Sequence, residues 1–329
     1  MWVVEVENLH KIYPGGVKAL NGISFKVSKG EIYSILGPNG AGKTTAMKII
    51  ATLLKPTSGS VSVMGIDVTS NSNAVRRIIG YVPQDLSADD ELTGVENVIL
   101  QARLYGISKG EARRRAMELL EMVGLKDAAN RIVRSYSGGM RRRLELAMGL
   151  VNDPELLILD EPTLGLDVQS RLTLWDYIKR LKNERGLTIL MTTHYMDEAD
   201  KLSNRVAIID HGKIVVEGSP EELKSRIGGD VIMVKASKPS HNIIDKIVAI
   251  EGVLGVDLVE NIVRIKVESA EKAMAKLLGV LSSIGTSVES ISIAKPTLDQ
   301  VFIEYTGRMF RDEEPSDFRK QVMVWRRRR

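Results

Sequence analysis

At 329 residues, with 43% hydrophobic and 27% charged side chains, the chain has ordinary globular composition and the length of a main domain plus a smaller one, which excludes a disordered or fibrous protein. The 46 basic against 42 acidic residues leave a formal charge of +4, too small an excess to point to nucleic acid. With no cysteine, disulfides, thiolate zinc sites and cysteine nucleophiles are excluded, which fits a reducing cytosol. The start, Met-Trp-Val-Val-Glu-Val-Glu, lacks the pattern of a secretory signal. Apolar runs such as Leu156 to Leu159 fall far short of the roughly 20 residues of a membrane-crossing helix.

Residues 1–30 alternate apolar and polar positions between glycine turns and predict an antiparallel strand layer. Ile32 to Leu36 predicts a buried strand, followed by a glycine loop and a helix with Met47, Ile50 and Leu54 on one face. From about 92 to 123 the period turns helical, with Ala112, Ala116, Leu119 and Val123 in register, Gly124 as the stop and Arg113 to Arg115 on a solvated face. Buried-strand runs at 156–159, 188–191 and 206–209, separated by helical stretches, predict a parallel α/β sheet in a first domain ending near 225.

Beyond Gly228-Gly229 the expected elements are strand 231–236, helix 241–250, strands 253–259 and 262–267, helix 270–284 and strand 287–293. That βαββαβ order predicts a small α+β unit of ferredoxin-like type, within a second domain spanning 230–307. Pro296 opens a last short helix to about Tyr305, and 308–329 reads as a charged tail. The closing Trp325 to Arg329 fits either contact with acidic lipid headgroups or a solvated end.

Gly37-Pro38-Asn39-Gly40-Ala41-Gly42-Lys43-Thr44, with Thr45 next, matches Gly-x-x-x-x-Gly-Lys-Thr between a buried strand and a helix. There, backbone N–H groups and a helix N-terminus wrap phosphates, Lys43 reaches the β- and γ-phosphates, and Thr44 holds Mg²⁺. Leu156 to Leu159 ends in Asp160 and Glu161, which sets Asp160 at the carboxyl edge of the sheet as a second Mg²⁺ holder. Glu161 then stands where it can orient or deprotonate an attacking water. Alone, such an acidic pair is mostly exposed capping. Ser137, Gly138 and Gly139 precede a helix and form either a second anion-binding helix start or an ordinary turn and cap.

In this order, over about residues 1–225, these segments resemble the nucleotide-binding domain of ABC ATPases. The resemblance implies a P-loop α/β fold with an antiparallel β layer and a helical signature subdomain. It implies ATP and Mg²⁺ as ligands and hydrolysis of ATP. It also implies a head-to-tail dimer in which Ser137 of one copy closes over ATP held by the other. By the same resemblance Tyr13 stacks on adenine, although a strand-edge aromatic would look the same. Gln84 touches Mg²⁺ or water and flexes with a membrane subunit, Asp167 links the two sites, and His194 senses the γ-phosphate. Lys43, Gln84, Glu161 and His194 are thus the expected catalytic set, and Thr44, Gln84 and Asp160 the expected metal holders.

Tyr136 and Met140 depart from the leucine and glutamine usual in the signature, and they resemble the version in drug-resistance, daunorubicin-type exporter ATPases. That subfamily's ending is matched by Pro296, Leu298-Asp299, Val301-Phe302 and Thr306-Gly307, in a helix that braces the dimer or modulates hydrolysis, or else merely packs. The expectation is an exporter subunit, peripheral on the cytoplasmic face, working with a separate polytopic permease and without nucleic acid. A soluble ABC ATPase with no transport task is the alternative, disfavoured by the short stretch between Lys43 and Ser137 and by a single set of motifs.

Overall fold

The computed structural model describes residues 1–236, 241–259, 262–283, 288–294 and 296–307. Among them are two compact units, Met1–Glu217 and one that begins at Gly218. The expected tail, 308–329, lies outside the described residues, as do positions 284 and 287.

The first unit opens with β1 (Trp2–Ile12), β2 (Lys18–Ser28) and β3 (Ile32–Leu36), followed by α1 (Lys43–Ile50), β4 (Ser58–Val63) and β5 (Ile66–Asp67). Next come α2 (Ser72–Ile78), β6 (Ile79–Val82), and three helices, α3 (Gly94–Leu104), α4 (Lys109–Met122) and α5 (Gly138–Gly149). The chain then runs β7 (Leu156–Asp160), α6 (Val168–Arg185), β8 (Thr188–Thr193), α7 (Met196–Leu202), β9 (Arg205–Asp210) and β10 (Lys213–Gly218).

Two sheets result. The antiparallel layer has the order β2-β1-β4-β5, and the core sheet the order β10-β9-β3-β8-β7-β6, with β3, β6, β7, β8 and β9 mutually parallel. Because side chains alternate across a strand, Leu156 and Ile158 face a core shared with α1 and the antiparallel layer. Leu157 and Leu159 face a second core built with α3, α4, α5 and α6. Every residue of β3, β7 and β8 is buried, which is why these strands read as unbroken apolar runs.

Three local expectations change. The helical stretch 92–123 is two helices, broken at Tyr105 to Ser108, with a Thr93–Glu96 capping box starting the first and Ser108 at the N-cap of the second. Helix α1 stops at Ile50, and Leu54 packs against the core from beyond its end, because Thr52 takes a positive φ of 65°. Of the three arginines expected on a solvated face, Arg115 is only half exposed, since it donates to Val151 O at 2.7 Å and ties α4 to the end of α5.

The second unit contains α8 (Pro220–Arg226), β11 (Asp230–Ala236), α9 (His241–Val248), β12 (Val253–Val259), β13 (Ile262–Val267), α10 (Ala270–Ser283), β14 (Val288–Ala294) and α11 (Leu298–Thr306). Its sheet order is β12-β13-β11-β14 with antiparallel pairing throughout, the ferredoxin-like arrangement that βαββαβ predicts. Ile232, Val234, Val263 and Ile265 on the sheet pack with Ile247 of α9 and Ala273, Leu277 and Leu281 of α10. The first unit ends at Glu217, ahead of the boundary expected near 225, so that α8 stands with α11 in the second unit.

Candidate functional site

The parallel register of the core sheet assembles the site. Leu36 of β3 lies beside Thr193 of β8, and Asp160 of β7 lies beside Thr192. The carboxyl ends of three adjacent strands therefore deliver the Gly37 loop, the Asp160-Glu161 pair and His194 to one edge, the usual ligand edge of an open α/β sheet.

The loop turns into α1 through Gly42, whose φ of 108° suits only glycine and whose missing side chain leaves room for the Ala19 carbonyl. Lys43 follows at the first helical position and is 4% exposed. Its Nζ donates to Gly37 O at 2.7 Å and Pro38 O at 3.1 Å and pairs with Glu161 Oε1 at 3.0 Å. A buried ammonium with carbonyl and carboxylate partners is a fixed positive charge that an anionic ligand can use.

Glu161 is positioned from every side. Its φ of 49° is left-handed, a conformation costing a non-glycine residue about 1–3 kcal/mol. Its N–H is satisfied by Thr192 Oγ1 at 2.9 Å. His194 Nδ1 donates to its Oε2 at 3.0 Å. Burial pushes the Glu161 carboxyl up, but the bond from His194 and the charge and bond from Lys43 outweigh it and hold the group below its ordinary value. The group is thus ionised and aimed, with one oxygen on an imidazole and the other on an ammonium.

Asp160, fully buried, behaves in the opposite sense. Burial pushes it above its ordinary value, and the hydroxyls of Thr192, donating at 2.6 Å, and Thr44, donating at 3.1 Å, offset this only in part. Both hydroxyls go to Oδ1, while Oδ2 is buried without a partner. An unpartnered carboxylate oxygen beside a threonine hydroxyl is a hard-oxygen pair, which fits a Mg²⁺ ion that takes one or two protein oxygens and completes its shell with phosphate and water.

Tyr13 connects to the same helix, its hydroxyl sharing a 3.3 Å hydrogen bond with Thr45 Oγ1 and Lys11 Nζ standing 5.5 Å from its ring centre. Gln84, half buried, is fixed through its main chain, Gln84 O accepting from Arg142 Nη2 at 2.8 Å.

The other expected residues form a separate group. Ser137 caps α5, its Oγ accepting from Met140 N at 3.3 Å. Asp167 caps α6, accepting from Ser170 N at 2.9 Å and Ser170 Oγ at 2.7 Å. A Cβ on Gly139 would meet that Ser170 Oγ at 2.5 Å, so the glycine lets the two helix starts touch. Among the described residues no hydrogen bond or ion pair joins Ser137, Gly138, Gly139 or Asp167 to Lys43, Thr44, Asp160, Glu161 or His194.

Sequence reasoning overlooked Thr192, Ser170, Arg142 and Glu145. For Arg142 and Glu145 a signal existed: they lie three apart on the face of α5 that also carries the buried Leu146 and Gly149, a poor place for solvated charges.

Comparison with known proteins agrees with this geometry. Residues 20–164 match the family model described as ABC transporter, and 218–306 match that described as ATP-binding protein DrrA1-3-like, C-terminal domain. The chain is 40% identical over 326 residues to the daunorubicin/doxorubicin resistance ATP-binding protein DrrA of Streptomyces peucetius, covering 98% of this chain and 97% of that protein. It is 37% identical to the linearmycin resistance ATP-binding protein LnrL of Bacillus subtilis (strain 168), covering 94% and 100%. Among solved structures, an ATP-binding cassette in a dimeric post-hydrolysis state with ADP and Pi superposes with a TM-score of 0.61 at 32% identity, covering 66% of this chain and 98% of that one. The chain belongs to the ABC transporter family, as an ATP-binding and ATP-hydrolysing subunit whose cassette is followed by a DrrA1-3-like C-terminal domain.

Proposed function

We propose that two copies of this chain close head to tail on two Mg²⁺-bound ATP molecules and thereby drive a separate polytopic permease that exports its substrate from the cytoplasmic face. The observation that carries this reading is the segregation of the site residues. Lys43, Thr44, Asp160, Glu161 and His194 form one connected cluster, whereas Ser137, Gly139 and Asp167 form another that shares no hydrogen bond with it. Each cluster lacks what the other offers, so a complete pocket takes one from each copy.

In that pocket Lys43 exchanges its Glu161 partner for the β- and γ-phosphates, and Tyr13 stacks on the adenine. Thr44 and Asp160 Oδ2 hold Mg²⁺, with Gln84 nearby. When bound, the ion would supply positive charge against the phosphate oxygens. Glu161, ionised and released from Lys43, orients the attacking water and accepts its proton, and His194 keeps the carboxylate aimed. The N-terminal amides of α5, with Ser137, Gly138 and Gly139, face the γ-phosphate of the partner's ATP, and Asp167 ties that surface to α6.

No described helix is long and apolar enough to cross a membrane. A docking partner is supported by an open groove of the first unit, where the exposed Leu53, Leu104 and Tyr105 lie beside Arg76, Arg77 and Gln101, a mixed apolar and basic surface. Export is supported by the resistance functions for which both curated relatives are named.

The test is Glu161→Gln. With ATP and Mg²⁺ it runs as a dimer on size exclusion and hydrolyses ATP at least about a hundredfold more slowly than the parent, the scale on which a lost general base acts. Hydrolysis at the parental rate, or a monomer at saturating ATP, refutes the proposal.

A further inference from the structure

The loop leaving β6 carries Gln84 and is gripped at both ends by α5. Arg142 spreads its two terminal nitrogens over successive carbonyls, Nη1 to Pro83 O at 2.9 Å and Nη2 to Gln84 O at 2.8 Å. One turn on, Glu145 Oε1 accepts from Ser87 N at 2.6 Å and Ala88 N at 2.7 Å, and Oε2 accepts from Ser87 Oγ at 2.6 Å. Both charges are buried, Arg142 to 5% exposure and Glu145 to 2%. Burial disfavours the guanidinium's charge, and Glu145, Asp85 and Asp160, the carboxylates that face it, pull the other way.

A buried guanidinium and carboxylate are costly unless every polar atom is used. Here they are used on one short loop, in five charge-assisted bonds, four to main-chain groups and one to the Ser87 hydroxyl. Helix packing alone needs none of this, since apolar side chains of like volume fill such a position as well or better. What the charges add is rigid attachment of 83–88 to α5. The same helix begins at Ser137, about 12 Å from Glu145 along its axis, and a helix that short behaves as a rod.

We infer that Arg142 and Glu145 are positioning residues that fasten the Gln84 loop to the Ser137 helix, so that a movement of Gln84 in one ATP pocket is delivered as a movement of Ser137 in the other. This rests on the paired-pocket reading above and deepens it: one chain's two half-sites communicate through α5.

The experiment uses the full chain and compares the parent with Glu145→Ala and Glu145→Gln. Hydrogen exchange at the Ser87 and Ala88 amides reads the grip directly. Glu145→Ala exchanges them at least about tenfold faster, the factor expected for losing one net hydrogen bond to a charged acceptor. Glu145→Gln keeps an acceptor oxygen and restores most of the protection. In ATP hydrolysis, Glu145→Ala loses the parental dependence on ATP cooperativity and about tenfold in kcat, while single-chain nucleotide affinity stays within about twofold. Glu145→Gln recovers the cooperativity. A stably folded Glu145→Ala that keeps its amide protection, or that loses protection yet hydrolyses with parental cooperativity and kcat, overturns the coupling. A parent without any cooperativity overturns the paired-pocket reading instead, and the coupling falls with it.

Discussion

Thr192→Val isolates the hydroxyl that holds the two acidic residues of β7 in their places. Valine keeps the shape and β-branching of threonine in a fully buried strand position, so packing and strand propensity change little. What is lost is the hydroxyl's double use, as acceptor for Glu161 N–H at 2.9 Å and donor to Asp160 Oδ1 at 2.6 Å. A buried N–H left without a partner costs about 1–3 kcal/mol, and a bond to a charged carboxylate contributes about 1.5–3 kcal/mol. The lower ends of both ranges together give about 2.5 kcal/mol. For a unit of this size that lowers the melting temperature by roughly 5–10 °C. The left-handed backbone of Glu161 depends on the same hydroxyl, so hydrolysis falls with stability. Differential scanning calorimetry of the full chain in EDTA, with an ATPase assay alongside, measures both, and Thr192→Ser is the control that retains the bonds. A Thr192→Val protein melting within about 2 °C of the parent at parental ATPase would refute the reasoning.

The two neighbouring carboxylates give pH dependences of opposite sign. Glu161 is held below its ordinary 4.5, so it contributes stability that is present above that value and is lost as pH falls through its lowered folded value. Acid melts should therefore show an advantage of the parent over Glu161→Gln that shrinks below about pH 4.5. Asp160 is raised above its ordinary 3.8, so its ionisation costs stability increasingly as pH rises past that value, and metal-free Asp160→Asn should gain on the parent from acid toward neutral pH. A flat difference for either variant would contradict the assigned environments. Gly139→Ala places a Cβ 2.5 Å from Ser170 Oγ, and the overpacking costs about 1–3 kcal/mol and most of the ATPase. Adding Ser170→Gly should relieve the clash and recover part of the melting temperature, less what the lost Ser170 Oγ–Asp167 bond contributes. In the second unit Phe302 is 1% exposed, and Phe302→Ala should lower that unit's calorimetric transition by about 3–5 kcal/mol while leaving the first unit's in place.

Much of the architecture was legible because its strands are buried on both faces and therefore written as bare apolar runs, as in Leu156 to Leu159 and Thr188 to Met191. Strand β4 was not, since Ser58-Gly59-Ser60 lies exposed at the edge of its pairing and carries no apolar alternation until Val61. The break at Tyr105 to Ser108 did carry a signal, Gly106 with its positive φ of 80° just past the end of α3, and Ser108 at the next N-cap position. For the candidate site, motif spacing singled out Lys43, Thr44, Asp160 and Glu161, which the fold brings together. It could not show that Lys43 and Glu161 pair, because that contact spans two strands and depends on the left-handed turn at Glu161. Arg142 and Glu145 were masked by the neighbouring Arg141 and Arg143, which make the segment look like a solvated charged face.

The whole helical stretch α3 to α5 departs from the core sheet after β6 and rejoins it at β7, and these two are hydrogen-bonded neighbours at one margin of the sheet. An excursion attached in this way can grow, shrink or be exchanged among descendants without shifting the pairing of a single strand. Natural variation can therefore lengthen or trim α3 and α4 while the strand ends that carry Lys43, Asp160 and Glu161 keep their register.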